Sequence, residues 1–369
     1  MKDGQKRSLT VQIRAVIADA PARSWLKGTK GFAGYYSCDR CKVKGDFEYD
    51  TVNSPIDGSP LLVRIPGMKF TTINDEPRMK EEWDSYLEKE PGEIAENMRH
   101  RVFKTPLDGI IGLNLVNDVV LEDMHLVNGG VMVDTVELLL NILEKSKDEN
   151  DVGYQKKSKA KKTSAVSKKK SSKKKKKKLG KVTPKHLLPW NARIDAWSKC
   201  CSPCEFPRKI RNLENFGRWK MSEHRLFVMY FLIPLMVLDK QFDGRRKLFK
   251  IIARLIRGYR LIAGNTFNPV PEKNIRLARE LFAKFFHGMK NICRLWCTYK
   301  CHCLFHIPND VEYFRCRTGA LSAYTFENAV RFFREVNCYQ LYSRSLISYV
   351  DMHRLMCQLL ILNISQNII

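Results

Sequence analysis

Cys38 and Cys41 are separated by two residues, and His302 and His306 stand four positions apart. A tight turn across Cys-x2-Cys aims two thiolates at one point ~2.3 Å away, and imidazoles four positions apart share one face of a helix. Each pair is half of a tetrahedral zinc site, and together they complete a Cys2His2 set across most of the chain. Taken singly, the first pair also suits an ordinary turn, and the second an amphipathic helix with two half-buried rings. Cys301 and Cys303 flank His302, and either could replace a ligand. A third pair, Asp19 and Glu327, consists of carboxylates on different elements. Acids that converge at a strand end can hold Mg2+ or Mn2+ for phosphoryl chemistry, with two ions ~3.5–4 Å apart. Each acid is also well suited to a helix start, Asp19 as an N-cap and Glu327 in a first turn.

The elements that must position these groups can be read from pattern. Residues 9–19, LTVQIRAVIAD, are rich in β-branched side chains and predict a mostly buried strand. Asp19 then caps a short helix with Pro21 in its first turn and a stop at Gly28. The stretch GYYSCDRCKVKGDFEYD reads as a knuckle between strands. From Thr51 to Lys104 the pattern is irregular, with one helical stretch from Pro77 to Glu90, and residues 107–145 again have helical spacing. Residues 146–185 carry almost no large apolar side chain. They cannot offset their own ordering entropy, which predicts a disordered insertion. Beyond His186, helices are predicted over Glu223–Leu238, Arg245–Ile262, Pro271–Tyr299 and Phe326–Leu362.

Charge constrains the partner. The 369 residues carry 65 Lys+Arg against 39 Asp+Glu, a net charge of +26. Residues 156–178 hold 14 lysines and no acid, so the remainder still carries +12. A basic body with a lysine run fits a polyanion, most simply nucleic acid. The run also suits nuclear import or phosphate contact. With 44% hydrophobic residues there is enough apolar material for real cores. Twelve cysteines without a secretory pattern at the start point to a reducing compartment. The longest apolar run, Leu226–Leu238, is 13 residues and contains Pro234. That is short of the ~20 needed to span a bilayer, so no membrane is expected.

The order of these pieces resembles a known pattern. IADAPARSWLKGTKGFAGYYSCDRCKVKG, LEDMHLVNGGV, CEFPRKIRNLENFGRWKMSEHRLFVMY and FHIPNDVEYF followed by LSAYTFENAV resemble, in sequence order, blocks of RNase H-like DDE transposases that carry a CxxC/HxxxH zinc site. The CACTA-type (EnSpm and related) transposases are of this kind, as is, more distantly, the recombination-activating recombinase of vertebrate immunity. The resemblance runs from about Leu9 to about Ser348, excluding the lysine insertion.

It implies an α+β, mostly helical fold. A partial RNase H-like sheet at the N-terminus carries a large helical insertion domain, and a Cys2His2 zinc site closes the fold. The divisions would be residues 1–50 for sheet and knuckle, 51–145 for an insertion region, 146–185 for the lysine loop, 186–299 for the helical insertion domain and 300–369 for the HxxxH and Glu-bearing end. Asp19 would match the second catalytic aspartate and Glu327 the third acid, together binding Mg2+ or Mn2+. Cys38, Cys41, His302 and His306 would match the zinc ligands. Asp123, His125, Trp219 and Glu223 would lie in the insertion domain and are assigned packing and hydrogen bonding. The first aspartate belongs well upstream of the second, yet only 18 residues precede Asp19. The expectation is therefore an N-terminally truncated, catalytically dead relative that binds DNA in the nucleus, with self-association as a further expectation. The alternative is a non-enzymatic nuclear protein that binds nucleic acid or chromatin. An unrelated all-helical scaffold with incidental CxxC and HxxxH would bind no zinc, and scattered ligands would count against the resemblance or an intact fold.

Overall fold

The structure, a computed structural model, describes residues 13–53, 60–64, 68–73, 76–89, 100–145, 187–200, 206, 208–239, 246–264, 267–293, 296–324 and 327. The lysine insertion and the predicted helix Phe326–Leu362, apart from Glu327, lie outside these residues. The chain is mostly helical with little sheet. It divides into two compact units, Met1–Gly130 with Ala253–Ile369, and Val131–Ile252.

In the first unit, β1 (Val16–Ala18) leads through Asp19 into α1 (Ala20–Leu26). The strand is shorter than residues 9–19 because residues 13–15 have no ladder partner, and residues 9–12 are outside the description. A hairpin, β2 (Tyr49–Asn53) against β3 (Pro60–Arg64), follows in a stretch predicted to be mostly irregular. Next come α2 (Lys80–Ser85) and β4 (Val119–Leu121). β4 pairs in parallel with β1, with Val16, Ile17 and Ala18 opposite Val119, Val120 and Leu121. Alternation along this pair sends Val16 and Val119 into one cluster with Trp83 and Leu115, and Ile17 and Val120 into another with Phe314 and Leu321. The two-stranded sheet is therefore packed on both faces, as its β-branched composition demands.

A π-helical turn, Met124–Val131, runs on from β4 into α3 (Met132–Lys145). The second unit contains α3, α4 (Leu188–Cys200), α5 (Met221–Leu226) and α6 (Leu232–Leu238), the last two joined by a π-helical turn, Phe227–Phe231. The helical stretch Met221–Leu238 is longer than its apolar run, and its 18 residues match a membrane span in length and composition. Leu226, Phe227, Phe231, Leu232 and Leu235 are nevertheless buried, as in a core helix. In the same unit, Trp219 packs on Phe216, His224 and Phe227. Glu223 accepts from Lys220 N at 2.7 Å at the start of α5 and pairs with Arg211 at 2.7 Å. Trp219 and Glu223 thus pack and cap.

α7 (Arg246–Ile262), α8 (Glu272–Ile292), α9 (Tyr299–Cys303) and α10 (Ile307–Phe314) complete the described elements. α8 stops at Ile292 although the helical pattern continues to Tyr299. Cys293 is extended, Trp296 N bonds back to Cys293 O at 3.0 Å, and the Trp296 ring meets Phe285 edge-on at 5.1 Å. The backbone beyond is recruited by residues 68–70, with Phe70 N donating to Cys297 O at 2.8 Å and Lys69 bridged to Thr298. Tertiary pairing overrides the local helical preference there.

Candidate metal centre

The two halves of the Cys2His2 set meet inside the first unit. Cys41 Sγ is 3.2 Å from His302 Nε2, Cys38 Sγ is 3.3 Å from His306 Nε2, and the two Nε2 atoms are 3.2 Å apart. All four donors lie within 4.8 Å of one another and all four residues are buried. Donors at zinc–sulfur and zinc–nitrogen distances of ~2.3 and ~2.0 Å from a shared ion sit about this far apart. The four side chains therefore form a site for a metal such as zinc.

Surrounding bonds fit that use. His302 Nδ1 lies 3.3 Å from Thr72 O, which fixes the tautomer that leaves Nε2 for the metal. The ring stacks on Phe70 at 5.2 Å. Arg40 N donates to Cys38 Sγ at 3.4 Å. Burial alone would raise the Cys38 thiol. Hydrogen bonds with Cys303 and Cys41 and the charges of His306 and His302 hold it well below the ordinary range, favouring the thiolate. Burial and the Cys38 charge push Cys303 well above that range. Neither Cys303 nor Cys301, whose sulfur accepts from Thr298 Oγ1 at 3.4 Å, belongs to the converging four. Both sit next to His302 on α9, and Cys303 borders the four as a hydrogen-bond partner of Cys38.

Two buried charge networks hold the knuckle in place. Asp39, inside the CxxC turn, contacts Arg23 Nε at 2.6 Å, Lys27 Nζ at 3.4 Å and His100 Nε2 at 3.5 Å, and accepts from Tyr299 OH at 3.1 Å. Lys27 Nζ also stands 4.8 Å above the Trp83 ring. Burial lowers the Lys27 amine to about 8 and the His100 imidazole to about 4, in each case against the pull of Asp39. Gly28 closes this edge at φ +62°, and a Cβ there would collide with Phe103 O. Arg23 and Lys27 belong to the helix and cap that Asp19 starts, so this network ties α1 to the knuckle and to Tyr299 of α9.

In the second network, Arg40 grips Asp310 of α10 with Nε to Oδ1 at 3.0 Å and Nη2 to Oδ2 at 2.8 Å. It also donates to Val119 O at 2.9 Å and to Val116 O. Asp310 Oδ2 accepts from Leu121 N at 2.9 Å, which fixes the end of β4.

Asp19 and Glu122 therefore follow paired residues of two adjacent parallel strands, Ala18 and Leu121. Asp19 caps α1, Oδ1 accepting from Ala22 N at 2.9 Å. Glu122 is buried. Oε2 accepts from Met124 N at 2.8 Å, while Oε1 accepts from His125 N at 2.8 Å and contacts His125 Nδ1 at 2.5 Å. The other His125 nitrogen, Nε2, stands 4.0 Å from Glu327 Oε1. The hydrogen bond to Glu122 raises the His125 pKa, and the charges of Glu122, Asp19 and Glu327 add to it.

Glu122 and Glu327 thus flank one imidazole, with the Asp19 charge also acting on it, and His125 belongs with the acids rather than in an insertion domain. It directly follows β4, so the sheet and not the helical unit positions it. Asp123 has the structural role assigned to it, accepting from Tyr259 OH at 2.5 Å and from Thr318 Oγ1 at 3.0 Å. Sequence reasoning passed over Glu122 and gave His125 to packing. The only local signal was a carboxylate three positions before a histidine.

Among the described residues, the Cys/His set is the only group of three or more donors gathered at metal-binding distances. Both Glu122 oxygens accept hydrogen bonds, and the His125 imidazole, biased toward its cationic form, stands between Glu122 and Glu327. No family model, no curated protein and no solved structure matches the chain.

Proposed function

We propose that this chain is a transposon-derived DNA-binding protein related to DDE transposases of the CxxC/HxxxH kind, with a partial RNase H-like sheet closed by zinc, and that it does not cut DNA. The observation that carries the reading is the convergence of Cys38 and Cys41 with His302 and His306 at 3.2–3.3 Å, from opposite ends of the sequence. An unrelated scaffold has no reason to bring those halves together in the order the resemblance implies. The parallel pairing of β1 with β4, with acids directly after both strands, also supports it. The net charge of +26 supports DNA as the partner and the nucleus as the compartment.

Strand cleavage by this chemistry needs carboxylates free to bind divalent ions that activate water and stabilise the leaving oxygen. In this chain Glu327 faces His125, Asp19 caps α1, and both oxygens of the neighbouring strand's carboxylate, Glu122, accept from Met124 N and His125. The saturation of Glu122 equally favours a wholly non-enzymatic nuclear role on nucleic acid or chromatin. Incubating purified protein with supercoiled plasmid and Mg2+ or Mn2+ tests the proposal. Salt-dependent binding without nicking is the expected result, and robust nicking that disappears in Asp19→Ala would overturn the inactive reading.

A further inference from the structure

Helix α7 (Arg246–Ile262) has two faces of opposite character. Ile252, Leu255, Tyr259 and Ile262 are fully buried. The helix is closed against α8 at Gly258, where a Cβ would stand 2.8 Å from Phe282 Cε1. The other face carries Lys247, Lys250, Arg254 and Arg257, at steps of three, four and three residues, in one column along the helix. Lys247, Lys250 and Arg257 are exposed and Arg254 is half-buried, with Nη1 donating to Lys284 O at 3.3 Å. At 1.5 Å rise per residue the column is ~15 Å long.

Several of the protein's other surface cations are neutralised within their own helices, and the cations of the column are not. Lys199, Arg276 and Lys284 each pair with an acid four positions away. Residues 246–262 contain no acid at all, and among the described residues none of the four cations is in an ion pair. Like charges three and four positions apart weaken a helix, so burial of the opposite face must hold the column together. Evenly spaced, unpaired cations on a rigid rod match evenly spaced anions.

We infer that this column of α7 docks on the phosphate backbone of duplex DNA. The inference rests on the DNA-binding reading above and adds to it where the contact is made. A membrane surface fits less well, because a helix that lies on lipid inserts its apolar face, and here that face is already inside the protein core. Backbone contact of this kind orients a protein on DNA without reading sequence.

The test uses the full chain and a variant with Lys247→Gln, Lys250→Gln, Arg254→Gln and Arg257→Gln. Binding to a fluorescent 25-base-pair duplex is followed by anisotropy over a KCl series, with circular dichroism as the folding check. Each lost phosphate contact lowers the log–log salt slope by about 0.9, so the variant's slope should fall by about 3–4 and its affinity at low salt by more than tenfold. A control with the same charge change at acid-paired positions, Lys80→Gln, Lys199→Gln, Arg276→Gln and Lys284→Gln, should keep the parent slope. If the quadruple variant fails to fold, Lys250→Gln and Arg257→Gln are measured singly and should each lower the slope by about one. A parent slope in a folded quadruple variant overturns the docking surface and leaves DNA binding intact. A parent protein that binds no duplex at any salt overturns the DNA-binding reading as well. Loss of binding to phosphatidylserine vesicles with unchanged duplex binding also overturns the inference, in favour of a membrane.

Discussion

Removing the metal should loosen the first unit by an amount that the closed loop sets. An ion held by the four residues would join Cys41 to His302 across 261 positions, and closing a loop of that length costs ~5 kcal/mol of chain entropy. Two metal-free links close much the same loop, the Arg40–Asp310 pair across 270 positions and Arg23–Tyr299 across 276. With the Arg40–Asp310 link already made, the ion closes only the residual loop of ~9 residues between the two links, ~2–3 kcal/mol, before the coordination bonds themselves are added. For a unit of this size that corresponds to a melting temperature lowered by roughly 5–10 °C. Metal analysis of the purified protein should give one zinc per chain, and calorimetry before and after chelation gives the shift. In Arg40→Ala, where one of the other links is gone, chelation should cost more than in the parent. Cys38→Ser and His302→Ala should lose the metal, whereas Cys301→Ala and Cys303→Ala should keep it. A chain without metal, or melting that ignores chelation in both backgrounds, would refute this reasoning.

Two further expectations follow from the buried charges. Asp310→Ala strands the Arg40 guanidinium in the interior and should cost about 3–5 kcal/mol in urea unfolding. Asp310→Asn, which can still accept from Leu121 N, should cost clearly less, and equal losses would show that the ion pair is not the important contact. His100 is fully buried with a folded pKa near 4 against an ordinary 6.5. The unfolded chain binds the proton first as pH falls, so stability is lost between about 6.5 and 4, by up to ~3 kcal/mol. His100→Gln should flatten that part of the pH–stability curve relative to the parent, and parallel curves would rule out His100 as its source.

What could be read from the sequence follows the range of the interactions concerned. α7 was legible almost to the residue, because its apolar period and unbroken run of good helix formers are local. The Cys2His2 cluster was legible because each half is a short spacing with its own chemistry. β4 was not, since three residues have too little periodicity to read and its partner lies about a hundred positions upstream. The hairpin of β2 and β3 was missed although Asp57-Gly58 between them is a turn signal; its strands are short and Asp50 and Arg64 interrupt them. His125 escaped for a related reason. Its neighbour Glu122 is local, but Glu327 reaches it, and the Asp19 charge acts on it, from more than a hundred positions away on either side. The early end of α8 depended on a backbone pairing with residues 68–70, which no local pattern could announce.

The separation of the two ligand pairs also has a consequence for biosynthesis. Cys41 leaves the ribosome 261 residues ahead of His302. At ordinary elongation rates of about 5–20 residues per second, the cysteine pair waits roughly 15–50 s before the imidazoles that complete its site exist. Throughout that interval the nascent chain carries an unburied CxxC dithiol open to oxidation or to loosely held metal. Newly made protein should therefore be most sensitive to oxidants and to zinc supply during synthesis, and much less so once Cys38 and Cys41 are sealed beneath α9.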